Sequence, residues 1–248
     1  MLSISNFWKT AIIATVTVFS ASALGFADRS PTPTFIYSFS EDSDSSLGDE
    51  QRASLQQIGD AVLAEAFAYL PDLEEQITLN VLTTDRDLSD VRGVTGRADR
   101  VNEIEIELSV TYEGGLDAAI ASGLRATLLH ELHHTVRGWT IHRNQYGYGI
   151  DIAAINEGLA EVFAETRIGY PPQLYTDTPD FSAWADEIRA LPQDANYREW
   201  MFQHPDGREA IGYRTGVWLV KKAMENSGKD VLELSRYSVR HIYKLAGY

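Results

Sequence analysis

Cysteine is absent from the 248 residues, and with it go disulfide frameworks, thiolate metal sites and thiol nucleophiles. Any metal centre here must be built from histidine and carboxylates. Basic residues are scarce: 21 Lys and Arg stand against 36 Asp and Glu, for a formal net charge of -15. That balance repels nucleic acid backbones and anionic lipid surfaces, so neither is expected as a partner. Long apolar runs are missing as well. The one candidate, Ala11 to Phe26, is interrupted by Thr15, Thr17, Ser20 and Ser22, which argues against a permanent transmembrane helix.

That run has the layout of a secretory signal peptide. Lys9 precedes it, small residues fill Ser20 to Ala23, and the triplets Ala21-Ser22-Ala23 and Gly25-Phe26-Ala27 resemble cleavage sites. Cleavage near Ala23 or Ala27 predicts an exported protein, periplasmic or extracellular. An uncleaved anchor is the alternative, since signal and anchor differ by degree. Residues 1–27 are therefore read as signal and residues 28–48, rich in Ser, Pro and Asp, as a flexible lead-in. Its one apolar island, Phe35-Ile36-Tyr37, is a candidate short strand. With 44% hydrophobic residues, residues 49–248 can bury the core of a single domain.

Apolar residues at Leu55, Ile58, Val62, Leu63, Ala66, Phe67 and Leu70 recur three and four apart and predict a helix closed by Pro71. Ile77 to Leu82 alternates and predicts a strand. Asp85 to Arg100, with Gly93 and Gly96, reads as a loop. Ile104, Ile106, Leu108 and Val110 then alternate with Glu103, Glu105, Glu107 and Ser109, a strand with one wet face. Its glutamates suit an edge strand guarded against aggregation, or one whose open edge pairs with an extended peptide. Beyond Gly115 the pattern is helical: Leu116 to Arg137, Asp151 to Ile168 with Asp151 as N-cap, Phe181 to Leu191, Tyr197 to Phe202, Glu209 to Asn226, and Asp230 towards Leu245. The expected fold class is α+β, with a helix and a small antiparallel sheet ahead of two central helices and further C-terminal helices behind.

The chemistry is concentrated in His130-Glu131-Leu132-His133-His134. One helical turn separates His130 from His134, so both imidazoles can reach one cation, while Glu131 is offset and can address a water. Neutral imidazoles hold zinc without quenching its Lewis acidity, and a carboxylate can take the water's proton. His130 and His133 are also neighbours at three-residue spacing, a second register. Asn156-Glu157-Gly158-Leu159-Ala160-Glu161 lies on the next helix. Glu157 and Glu161 share a face otherwise lined by Ala153 and Ala154. Carboxylates turned into a helix interface need partners, and zinc and a histidine ring N–H would supply them.

These two motifs together resemble the gluzincin metallopeptidases, which pair His-Glu-x-x-His with Asn-Glu-x-x-x-Asp/Glu on the following helix. The resemblance implies a zincin-like core, Zn2+ held by His130, His134 and Glu157, and Glu131 as general base. It also implies that Glu161 orients a ligand histidine and that Asn156 is the residue preceding the carboxylate ligand. The chain is more closely similar to the bacterial family DUF2268 of predicted zinc-dependent proteases, through Gly96, Ile104 to Leu108, His130 to Arg137 and Glu157 to Phe163, over roughly residues 77–220. The implied partner is a peptide or protein substrate.

For the oxyanion of the transition state, Tyr213 in Gly212-Tyr213-Arg214-Thr215-Gly216 is the first candidate, with His204, Tyr148 and His142 as others. Arg137 is read as capping its helix, or else pairing with Glu161, and His241 as structural. Rival readings are a zinc-binding scaffold without useful turnover, or a zinc hydrolase of a non-peptide amide or ester in the cell envelope.

Overall fold

The computed structural model describes residues 31–40, 47–171 and 177–248, and residues 31–248 form one compact unit. The signal-peptide reading of residues 1–27 lies outside the described residues. Four strands, β1 (Thr34–Phe39), β2 (Gln76–Thr84), β3 (Val94–Arg100) and β4 (Glu103–Ser109), form one sheet in the order β1-β2-β4-β3. Helices α1 (Asp49–Phe67), α2 (Gly115–Ser122), α3 (Leu124–Arg137) and α4 (Ile150–Ile168) follow in chain order. Then come α5 (Phe181–Ala190), α6 (Tyr197–Met201), α7 (Ile211–Ser227), α8 (Val231–Leu234) and α9 (Val239–Ala246). The α+β class holds.

The sheet is mixed rather than antiparallel: β1 and β4 both run parallel to β2, and only β3 is antiparallel to β4. The crossover through α1 joins β1 to β2, which a parallel pair requires. Apolar alternation in β2 and β4 puts Ile77, Leu79, Val81, Ile104, Ile106 and Leu108 into the core beneath α1 and α3. The candidate strand Phe35-Ile36-Tyr37 is borne out as part of β1, an edge strand of the sheet with Phe35 buried, so the lead-in is not loose throughout. The edge position expected for the glutamate-rich strand fails. The glutamate-rich strand β4 is interior, hydrogen-bonded to β2 on one side and β3 on the other. Period-two patterning reports a wet face, and a wet face is a different property from a free edge. Glu105 and Glu107 lie on that face, paired with Arg97 at 2.7 Å and Arg86 at 2.9 Å. The edge on the β4 side of the sheet is β3, inside the segment read as a loop. Its glycine and polar residues mask a strand that only the pairing with β4 makes regular.

The helix expected over Leu116 to Arg137 is two helices meeting at Gly123. A Cβ there would lie 2.7 Å from the Arg92 carbonyl oxygen, so glycine lets the chain bend against the β3 entry. Gly149, not Asp151, holds the N-cap position of α4. The helix expected from Asp230 is also split, because the Ser238 hydroxyl caps a fresh start at α9. A second apolar cluster, Ile150, Ala153, Ala154, Trp184, Trp200 and Ile211 among others, joins α4 to α5, α6 and α7. At the α4–α7 crossing a Cβ on Gly216 would stand 1.8 Å from the Ala154 carbonyl oxygen. That close approach brings the start of α7, and Tyr213 with it, over the face of α4 that carries Glu157.

Candidate active site

Helix α3 packs between β3 and α4, and its buried face includes His130, Glu131, His133 and His134. The two registers of the histidine motif separate cleanly. His130 and His134 turn towards α4, where Glu157 Oε2 lies 3.2 Å from His130 Nε2 and 3.1 Å from His134 Nε2. The two Nε2 atoms are themselves 2.8 Å apart, and one donor atom from each of the three residues falls within 4.8 Å of the others. His133 instead points away, its Nε2 2.8 Å from Ser235 Oγ and its ring against Phe163.

Glu161, one turn beyond Glu157, places Oε1 3.3 Å from His130 Nδ1. That contact suits a ring proton on Nδ1, which would leave the Nε2 lone pair free for a cation. Three lone-pair atoms thus crowd one buried point, and a single cation there satisfies all of them; His, His and carboxylate is a donor set suited to zinc. Without a cation the cluster satisfies itself with protons. Burial alone would push the His130 imidazole down, but its hydrogen bonds to Glu157 and Glu161 outweigh that and hold its pKa well above the ordinary value. Glu157 resists the upward push of burial because the charge of His134 and the hydrogen bonds to both rings hold it far below the usual carboxylate range. Trp139 Nε1 donates to the other Glu157 oxygen at 2.8 Å.

Glu131 sits beside the cluster and outside it. Burial raises its pKa, and the neighbouring His130 and His134 together with a backbone hydrogen bond from Ala98 only temper the rise. Its Oε2 is buried and has no partner among the described residues. A small cavity of about 70 Å³ opens in front of it, lined by Thr95, Gly96, His130, Glu131, Glu161 and Tyr213. A larger hollow of about 310 Å³ shares Glu161 and Tyr213 and is walled by Phe181, Val217 and Trp218.

Tyr213 is therefore at the cavity, and desolvation plus the negative charge of Glu157 drive its pKa well above 10, so it stays a neutral donor. The other oxyanion candidates are elsewhere. His204 pairs with Asp206 at 2.8 Å, Tyr148 is 75% exposed, and exposed His142 uses its backbone N–H on Asp99. His241 stacks on Tyr237. Arg137 neither caps its helix nor meets Glu161. Its guanidinium is buried, with Nε donating to Asn156 Oδ1 at 3.0 Å and Nη1 to the Tyr237 and Ser235 carbonyls. Asn156 is thus a tie between α3 and α4, with its amide donating to Ile152 O at 2.9 Å. A long cation that meets several backbone carbonyls in a closed pocket gains more than one at a solvated helix end.

Two residues at the site carried no signal in the sequence pattern. Trp139 lies two residues past the end of α3, and Tyr197 opens the short α6. The Tyr197 hydroxyl is hydrogen-bonded to Tyr213, and desolvation and the charges of Glu157 and Glu131 raise its pKa.

No curated protein and no solved structure matches the chain. A family match does exist, over residues 74–244, to the family described as Predicted Zn-dependent protease (DUF2268). It spans β2 through α9 and includes every residue of the His130, His134 and Glu157 cluster. By that match the chain belongs to the DUF2268 family of predicted zinc-dependent proteases.

Proposed function

We propose that this protein is an exported zinc-dependent peptidase with a zincin-like core. The observation that carries the reading is the meeting of His130 Nε2, His134 Nε2 and Glu157 Oε2 at one buried point, with Glu131 and an open cavity beside it. Zinc held there by these three residues would supply Lewis acidity at the scissile carbonyl. The chain's own groups do the rest. Glu131, its basicity raised by burial, takes the proton of the attacking water and later returns it to the leaving amine. Tyr213, kept protonated, donates to the developing oxyanion, and Tyr197 fixes the direction of that hydroxyl. Glu161 holds the His130 ring in its ligating tautomer.

The substrate lies along β3 rather than β4. Gly93 O accepts from Ser109 N on the β4 side, so Val94, Gly96 and Ala98 turn their backbone groups to the outer edge. Val94 O is taken by Thr127 Oγ1 and Ala98 O by Ile141 N, which leaves Gly96, at the cavity lip, to pair with an extended peptide. The apolar hollow beside Tyr213 receives a side chain of that peptide. Residues 1–27 direct export and are removed near Ala23 or Ala27; among the described residues no helix is long and apolar enough to cross a membrane.

The test is hydrolysis of a mixed peptide library by the purified protein. The reading expects cleavage that a chelator abolishes, that added zinc restores and that Glu131→Gln lacks. Cleavage indifferent to chelation or to Glu131→Gln would contradict it, and zinc binding without any cleavage would favour the scaffold reading. N-terminal sequencing of the exported chain tests the cleavage sites.

A further inference from the structure

We infer that Trp139 is a positioning residue for Glu157, pinning one carboxylate oxygen so that the other alone faces the two imidazoles. The inference rests on reading the cluster as a zinc site. Trp139 follows Gly138, whose φ of 70° turns the chain out of α3. The turn is fixed from several sides. Trp139 N donates to His134 O at 3.1 Å, Gln145 Nε2 donates to Arg137 O at 2.7 Å, and Trp139 forms an isolated antiparallel bridge with Asn144. The indole packs against the apolar cluster that includes Ile150, Ala153 and Ala154. Its one polar atom then meets Glu157 Oε1 at 2.8 Å, while Oε2 sits 3.2 and 3.1 Å from the ring nitrogens.

The choice of side chain has a physical reason. An indole carries one donor, no acceptor and no charge. It can orient a carboxylate without neutralising it, so the negative charge stays available to a cation. An Arg or Lys in its place would compete with the metal for that charge. A Glu157 free to swing could offer both oxygens to the metal; with Oε1 held by the indole, it offers one. A four-coordinate site with a single open position follows from two imidazoles and one carboxylate oxygen. Helix α3 carries both histidines and the turn that ends it carries the tryptophan that holds Glu157, so the end of α3 sets the geometry of a ligand on α4.

The experiment replaces Trp139 by benzothienylalanine, which keeps the shape of the indole and exchanges its N–H for sulfur, alongside Trp139→Phe. Zinc affinity is read by competition with a chromophoric chelator, and coordination by the visible absorption of the cobalt(II)-substituted protein. The expected result is an affinity loss of about 10–100-fold and a weaker cobalt spectrum, as the site moves from four-coordinate towards five-coordinate. The metal-free isostere should stay folded, with its melting temperature lowered only as far as the loss of one hydrogen bond requires. An isostere with unaltered zinc affinity and cobalt spectrum would overturn the inference. Failure of the unsubstituted protein to take up zinc would overturn it together with the site reading. Zinc uptake without peptide cleavage, with affinity still lost in the isostere, would support the role of Trp139 and refute only the peptidase reading.

Discussion

The interface between α3 and α4 buries two polar clusters, and they are built on opposite principles. On the closed side, Arg137 donates to Asn156 and to the Ser235 and Tyr237 carbonyls, with the Tyr146 ring 4.2 Å from its guanidinium carbon. His133 meets Ser235 Oγ there. Most of these donors meet acceptors, although Arg137 Nη2 and His133 Nδ1 have no hydrogen-bond partner among the described residues. On the cleft side, two imidazole nitrogens and a carboxylate oxygen converge on one point, next to a cavity and a buried Glu131 whose Oε2 has no partner among the described residues. Both clusters are buried and both use residues of the same two motifs. Burial of polar groups therefore does not separate function from structure in this protein. The convergence of three ligand-type atoms beside a cavity does, because a cation there can replace the protons that otherwise satisfy them.

Breaking each cluster in turn should give opposite phenotypes. The largest effect is expected for Glu131→Gln. Proton transfer is lost while the donor set is untouched, so turnover should fall by about 10³-fold with zinc content intact by mass spectrometry. Arg137→Met should do the reverse. It strands Asn156 and two carbonyls, so chemical denaturation should show a loss of about 3 kcal/mol, with the remaining folded protein still binding zinc. Next is Tyr213→Phe, which removes one oxyanion donor and should lower kcat by about 10²-fold at unchanged KM and zinc content. Least of all should come from Glu105→Gln with Glu107→Gln. These carboxylates pair with partly exposed arginines on the wet face of an interior strand, so stability should move by less than about 1 kcal/mol and the cleavage profile should not move. A shifted profile would put the substrate on β4 after all.

The same comparison explains what could be read from the chain alone. His130, His134, Glu157 and Glu161 are related by helical spacing, and a helix converts that spacing into a shared face; the structure places all four as that rule requires. Their closed-side counterparts obeyed no such rule. Arg137 reaches across about a hundred residues of chain to Ser235 and Tyr237, and only tertiary packing brings those carbonyls to it. Trp139 sits just outside a periodic segment, where a turn rather than a period decides direction, and Tyr197 opens a helix too short to show a face by its period. The sheet was misread for a related reason. Alternation in Glu103 to Ser109 reveals which face is wet, but strand order depends on partners, and β3 has too little apolar content to announce itself.

The central claim is that zinc is held by His130, His134 and Glu157. Its most direct test is the metal content of the purified protein measured beside Glu157→Ala and Glu161→Ala. The account predicts one zinc per chain, lost in Glu157→Ala and largely kept in Glu161→Ala, which removes an orienting contact and not a ligand. An absence of zinc, or zinc that remains when Glu157 is removed, would contradict it.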